Sequence, residues 1–170
     1  MLHGAVLRRA NLAGALLAMA DLSLADARES NLTGADLRGA KLERATLSQA
    51  ILMEACARPL LIAGAHRCPT DFTSARLDHA LLLRADLSMA LLVGADLTKA
   101  DVRRTDLRGA SLNGATLNDV DLRAALLDGV DLAGASGINV PLLSLMQSSG
   151  LQIGGSPFDP PPPGSEQGGR

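Results

Sequence analysis

The sequence predicts an all-β solenoid, and three observations carry that prediction. A five-residue beat runs through about four-fifths of the chain, Ala and Leu fill two fixed positions of it, and large aromatic residues are almost absent. The beat is plainest at Ala85–Leu112, which reads Ala-Asp-Leu-Ser-Met, Ala-Leu-Leu-Val-Gly, Ala-Asp-Leu-Thr-Lys, Ala-Asp-Val-Arg-Arg, Thr-Asp-Leu-Arg-Gly, Ala-Ser-Leu. Numbered so that the small residue falls on multiples of five, the sequence gives 27 units from Ala5 to Ala135 with no insertion between them, and Leu2 extends the pattern backwards. A helix turns about 100° per residue, so a spacing of five would scatter the leucines around the whole cylinder. A strand alternates its faces every residue, so an odd spacing would split them between two faces. A backbone that changes direction once per unit buries all of them, and fixed-period self-similarity of this kind marks a solenoid.

The bulk properties narrow the function classes. The length of 170 residues suits about one domain. A net charge of −2 gives neither a basic footprint for nucleic acid nor a strong acidic field. Two cysteines make no disulfide framework. No apolar run approaches the ~18 residues that span a bilayer, so the chain is expected not to cross a membrane. Arg8-Arg9 followed by the apolar stretch Ala10–Ala20 imitates a twin-arginine export leader. Those residues nevertheless keep the beat, so a structural segment and a cytoplasmic protein are expected, with export as the alternative.

Units such as Ala-Asn-Leu-Ala-Gly (10–14), Ala-Asp-Leu-Arg-Gly (35–39) and Ala-Ser-Leu-Asn-Gly (110–114) resemble the pentapeptide-repeat family. The resemblance implies a right-handed quadrilateral parallel β-helix with four units per coil, the small and central residues pointing inward. With about 4.8 Å between coils, nearly seven coils would make a rod of roughly 30 Å. The physical reading agrees: a narrow square shaft has room for one Leu and one Ala per side, which accounts for the missing aromatics. Gly at unit ends, as in Gly34 and Gly109, suits corners that need positive φ. Asp, Asn, Ser or Thr after the small residue suits side-chain bonding to the turn backbone.

The β-helix is expected over residues 1–137, a C-terminal cap of a short helix and an extended piece over 138–153, and a Pro/Gly-rich tail over 154–170. The helix is read from Val140 to Gly150, with Pro141 in its first turn and Gly150 past its end. The beat starts at Leu2 with no capping sequence before it, so the first coil is expected to expose an edge able to meet another molecule end to end.

An unbroken four-unit coil stacks residues twenty apart. On that assumption Ile51, Met53, Leu91 and Val93 share one face, and Leu61 stacks beside Leu81 and Leu83 on the opposite face with Arg84, Arg103 and Arg104. Leu81 and Leu91 occupy a position usually polar, so these residues are expected to form protein contacts. The middle coil breaks the pattern with Pro59, Leu60, Arg67 and Pro69. An unpaired guanidinium in the shaft costs several kcal/mol, so the coil is expected to bulge, send Arg67 outward and recover at Phe72.

No catalytic site is legible: the three histidines stand near no Ser or Cys in a nucleophile–base pattern. Cys56, His66, Cys68 and His79 match no zinc spacing, and Cys56 and Cys68 are expected on opposite faces. No cofactor is expected. The expected function is therefore a non-enzymatic structural or adaptor protein, a rigid rod joining subunits of a larger assembly through protein contacts. The abundance of the family in cyanobacteria makes a photosynthetic or light-harvesting assembly one setting for it. The alternative is a DNA mimic acting on a type II topoisomerase such as gyrase, as quinolone-resistance members of the family do. Duplex DNA carries about one charge per 1.7 Å, or roughly 17 over such a rod. Here 16 acidic residues between Asp21 and Asp131 face 15 basic ones between Arg8 and Arg123, which weighs against it.

Overall fold

The computed structural model describes residues 2–63 and 66–138. The helix read at Val140–Gly150, the rest of the cap beyond Ile138 and the tail lie outside the described residues.

Each five-residue unit makes one side of a square coil. The N–H of each small residue donates to the central carbonyl three residues back, as Ala5 does to Leu2 at 3.0 Å and Ala95 to Leu92 at 3.0 Å. The fifth residue of the unit lies inside that turn with φ between 55° and 69°, the conformation that a type II turn demands of its third residue. Fifteen non-glycine residues hold it, from Arg9 to Ala124. None of the fifteen is β-branched, as sterics in the left-handed region require.

Where the second residue of a unit is Asp or Asn, it settles the turn further: its carboxylate or amide oxygen accepts the N–H two residues on, as Asn31 does from Thr33 and Asp96 from Thr98, both at 3.0 Å. Successive coils then pair in parallel through these second positions, giving the right-handed quadrilateral β-helix implied by the resemblance. Inside, Leu and Ala fill the shaft: Leu37, Leu47, Leu52, Leu77, Leu82 and Leu92 are wholly buried.

Four columns of sides result. Side 1 carries Val6, Asp26, Thr46, Arg76, Asp96, Thr116 and Ser136; side 2 carries Asn11, Asn31, Ile51, Leu81, Asp101 and Asp121. Side 3 carries Leu16, Asp36, Cys56, Asp86, Asp106 and Leu126; side 4 carries Asp21, Lys41, Asp71, Leu91, Ser111 and Asp131. Partners are twenty residues apart except at one level, where Lys41 meets Asp71, Ile51 meets Leu81 and Cys56 meets Asp86.

Ten residues are responsible for that jump. After Arg58 the chain leaves the shaft as a hairpin of β1 (Leu60–Ile62) and β2 (His66–Cys68), with Leu60 opposite Cys68, Leu61 opposite Arg67 and Ile62 opposite His66. The expected bulge is thus a whole extruded hairpin, and two of the 27 units stand outside a shaft of just over six coils. Arg67 is exposed as expected, and its Nη1 donates to Met89 Sδ at 3.2 Å. Phe72 re-enters the core fully buried, on the column of Leu42 and Leu92. Its larger ring coincides with the small Ala57 on the preceding side of the same coil, so the two departures from Leu offset each other in volume.

Thr70 closes the gap that the hairpin opens. Elsewhere a fifth-position N–H donates to the fourth-position carbonyl of the next coil, as Met19 does to Arg38 at 2.9 Å. For Gly39 the corresponding residue is Arg58, where the chain departs. Gly39 N–H donates instead to Thr70 Oγ1 at 3.0 Å, and that hydroxyl donates to Leu37 O at 2.9 Å.

Two outcomes follow for stability. Thr70→Ala leaves the Gly39 N–H without its acceptor and is expected to cost about 1–3 kcal/mol in chemical denaturation, with Thr70→Ser recovering most of it. Gln49 holds φ +60 on an exposed corner. Relief of left-handed strain, about 1–2 kcal/mol, exceeds the added chain entropy of glycine, about 0.5–1 kcal/mol, so Gln49→Gly is expected to raise the melting temperature.

Candidate functional site

The shift at the hairpin regroups the predicted contact residues. Ile51 and Met53 do not share a side with Leu91 and Val93: the first pair lies on side 2 and the second on side 4. Ile51 instead pairs directly with Leu81 in the next coil, so Ile51, Met53, Leu81 and Leu83 form one apolar block on side 2. Leu61 is not beside Leu81 and Leu83. It stands in the hairpin, at the corner between sides 3 and 4, and is 68% exposed.

Side 2 is graded along the rod. Its first two coils present Asn11 and Asn31, its middle two the apolar block, and its last two Asp101–Arg103 and Asp121–Arg123. The last pairs are forked: Arg103 donates through Nε and Nη2 to the two oxygens of Asp101 at 2.8 and 2.6 Å, and Arg123 does so to Asp121 at 2.9 and 2.6 Å. These guanidinium bonds hold both carboxyl groups below the usual carboxylate range and both arginines above theirs. Arg84 reaches Glu54 at 3.5 Å across the corner. Arg104 has no carboxylate within salt-bridge reach among the described residues. Leu83, Arg103, Arg104, Arg123 and Ala124 line an open cleft of about 400 Å³ there.

The hairpin is the second exposed feature, and the sequence signals it through its flanking prolines and through Arg67 at a core position. A methyl group on Gly39 would sit 2.7 Å from Met19 Sδ and 3.2 and 3.3 Å from the Cβ atoms of Leu60 and Cys68. Gly39, at φ +66, is therefore the seat on which the hairpin base rests. Because the hairpin springs from the unit of Cys56, Cys68 belongs to that same side of the rod, and the two cysteines are not on opposite faces. Both are free thiols. Among the described residues no group of His, Cys, Asp and Glu side chains is placed to hold a metal.

At the N-terminal end the first coil leaves Leu2, Leu7 and Leu12 only partly buried, and Val6 and Leu16 are 77% and 87% exposed. Arg8 and Arg9 are built into this coil, paired with Asp26 at 2.5 Å and Glu29 at 2.8 Å.

A stacked five-residue β-solenoid with this turn and this core defines a repeat protein of one kind. The chain belongs to the pentapeptide repeat family: the model of pentapeptide repeats matches eight copies, over residues 5–44, 30–58, 70–109 and 105–136. The unmatched stretch 59–69 holds the hairpin and Pro69. Among solved structures, a trypsin-treated form of QnrB1, a plasmid-mediated fluoroquinolone resistance protein, matches with a TM-score of 0.60 at 17% identity, over 79% of this chain and 66% of that one. HetL, involved in heterocyst differentiation regulation in the cyanobacterium Nostoc sp. strain PCC 7120, is 33% identical over 77% of this chain and 63% of its own, with a TM-score of 0.38. A thylakoid-lumen pentapeptide repeat protein of Arabidopsis thaliana is 22% identical over 87% of this chain and 78% of its own, with a TM-score of 0.48. The QnrB1 likeness is one of fold alone, and the match spans just under two-thirds of the trypsin-treated QnrB1 chain and of HetL. No curated protein matched the chain.

The forked pairs make stability acid-sensitive. Asp36, Asp101, Asp106 and Asp121 are all held below their ordinary value of 3.8, chiefly by hydrogen bonds from Arg38, Arg103, Arg108 and Arg123. A carboxyl group whose folded pKa is depressed stabilises the fold above its unfolded value and loses that contribution as pH falls through the folded one. The melting temperature is expected to be flat through neutrality and to fall below the ordinary value of 3.8, with a shallower acid limb in Arg103→Gln.

Proposed function

We propose that this protein is a non-enzymatic adaptor, a rigid rod that joins protein partners through side 2 and the hairpin. The observation that carries the reading is the block of Ile51, Met53, Leu81 and Leu83 at outward positions that elsewhere on the same side hold Asp, Arg, Asn or Thr, with Ala13 in the first coil the one exception. Four contiguous apolar side chains, with Asn31, Glu54, Arg84 and Arg103 at their edge, match the core-and-rim composition of a protein interface. Leu61 and Ile62 on the hairpin, 68% and 42% exposed, offer a second apolar contact with a different outlook. Leu91 and Val93 lie on side 4, and the open first coil offers an end-to-end contact. No helix among the described residues is long and apolar enough to cross a membrane. Arg8 and Arg9 take part in the first coil, so this reading treats them as structural and the protein as cytoplasmic.

DNA mimicry of the type that would engage gyrase is the weaker reading. Asp36, Asp101, Asp106 and Asp121 are each covered by the arginine two residues on, so they do not present the bare negative stripe of a duplex.

Native mass measurement and co-elution from the source organism test the adaptor. The full chain is expected to run in a larger assembly, lost on Leu81→Asp or Leu61→Asp with the melting temperature unchanged. A strictly free chain, or assembly indifferent to both substitutions, would sink the reading; so would inhibition of gyrase supercoiling at stoichiometric protein.

A further inference from the structure

The cleft at the upper end of side 2 narrows the chemistry of the partner. It brings together three guanidinium groups, those of Arg103, Arg104 and Arg123, over a floor of Leu83 and Ala124. Among the described residues only two carboxylates, Asp101 and Asp121, pair with them at this level. Arg103 and Arg123 spend Nε and Nη2 on those two groups, which leaves their Nη1 donors outside the forks. Arg104 is paired with no carboxylate among the described residues, and its corner conformation, φ +58, projects it from the rod. The balance is one unmatched positive charge beside an apolar floor. One carboxylate neutralises it. A phosphate backbone, which draws its affinity from many simultaneous contacts, does not fit so small an excess.

The apolar block lies directly along the same side. Coils are about 4.8 Å apart, which puts Leu81 and Leu83 about 7 Å from the middle of the cleft and Ile51 and Met53 about 12 Å from it. One face of a protein segment matches those distances in two ways. Residues i, i+4 and i+8 of a helix are spaced about 6 Å apart along its axis, and residues i, i+2 and i+4 of a strand about 6.7 Å apart.

We infer that side 2 docks a partner-protein segment with one acidic residue at its head and two apolar residues following on the same face. The acidic group sits between Arg103, Arg104 and Arg123, towards the C-terminal end of the rod. The apolar residues lie first over Leu81 and Leu83, then over Ile51 and Met53. The charge sets direction and register, and the apolar block supplies most of the buried area. This inference rests on the adaptor reading and specifies the partner for one of its surfaces.

Selection of short displayed peptides on the full chain tests it, with Arg104→Glu and Leu81→Asp as parallel targets. Thermal melting first confirms that both variants fold. Enriched peptides are expected to carry Asp or Glu followed by two apolar residues at one of the two spacings. Their binding should weaken as salt rises, drop by about tenfold or more on either variant, and return with Arg104→Lys. Enrichment without an acidic position, no enrichment at all, or binding to either variant as tight as to the unaltered chain overturns it. Concentration-dependent self-association abolished by Leu81→Asp overturns it too, because the occupant is then a second copy. A partner that still co-elutes from the source organism in any of these cases leaves the adaptor reading standing without this docking mode.

Discussion

The structure depends on one repeated bond, the N–H of each small residue closing onto the carbonyl three residues back. That bond turns the chain through a corner every five residues and so converts a sequence period into a spatial one. It requires a fifth residue that accepts positive φ. Where the second residue is Asp or Asn, it steadies the turn by accepting from the backbone two residues on, as at Asn31 and Asp96. Once the corners are fixed, the width of the shaft is fixed with them, and Leu and Ala follow as the side chains that fill it at the close packing of protein interiors. Even the exceptions obey the volume rule. Phe72 sits in the same coil as Ala57, and both are fully buried.

The rod was legible because its signal is repeated many times, whereas the hairpin was illegible because its length is a multiple of the period. A departure of ten residues leaves every later Ala and Leu in phase, so the beat shows altered residues at 59–68 but no change of register. The local clues were chemical. Arg67 stood where a buried leucine was due, Pro59 and Pro69 flanked an apolar run, and Thr70 replaced an alanine. Each has a physical role: Arg67 contacts Met89, and the Thr70 hydroxyl substitutes for the carbonyl that leaves with Arg58. Burial energetics alone correctly expelled Arg67. Nothing in the periodicity could say how much chain went with it.

The same ten residues explain why the contact surface was read in pieces. A shift of two units in a four-unit coil moves a residue to the opposite side, so the columns above and below the hairpin exchange partners. An unbroken repeat puts Ile51 and Leu81 on opposite faces, whereas in the structure they are bridged neighbours. Ile51, Met53, Leu81, Leu83 and Arg103 share one setting, which only the stacking reveals: polar, apolar and charged zones follow one another up a single side, while Leu91 and Val93 lie on side 4 and Leu61 in the hairpin. The Asp–Arg forks in the charged zone are local, two residues apart, and were already spelled out as Asp-x-Arg in the units at Asp101 and Asp121.

The hairpin also shows what a corner of this architecture can tolerate. Chain leaves after Arg58 and returns at Pro69 on the same edge, and the coils on either side stack across the gap through Leu37, Gly39 and Thr70. The excursion therefore has no mechanical effect on the column above it. Beyond the base that rests on Gly39, its length can vary at little cost, because loop closure costs only slowly more with length. The rod then behaves as a rack with ports: the shaft sets where an appendage is held and at what height, while the appendage itself can be exchanged without refolding what carries it.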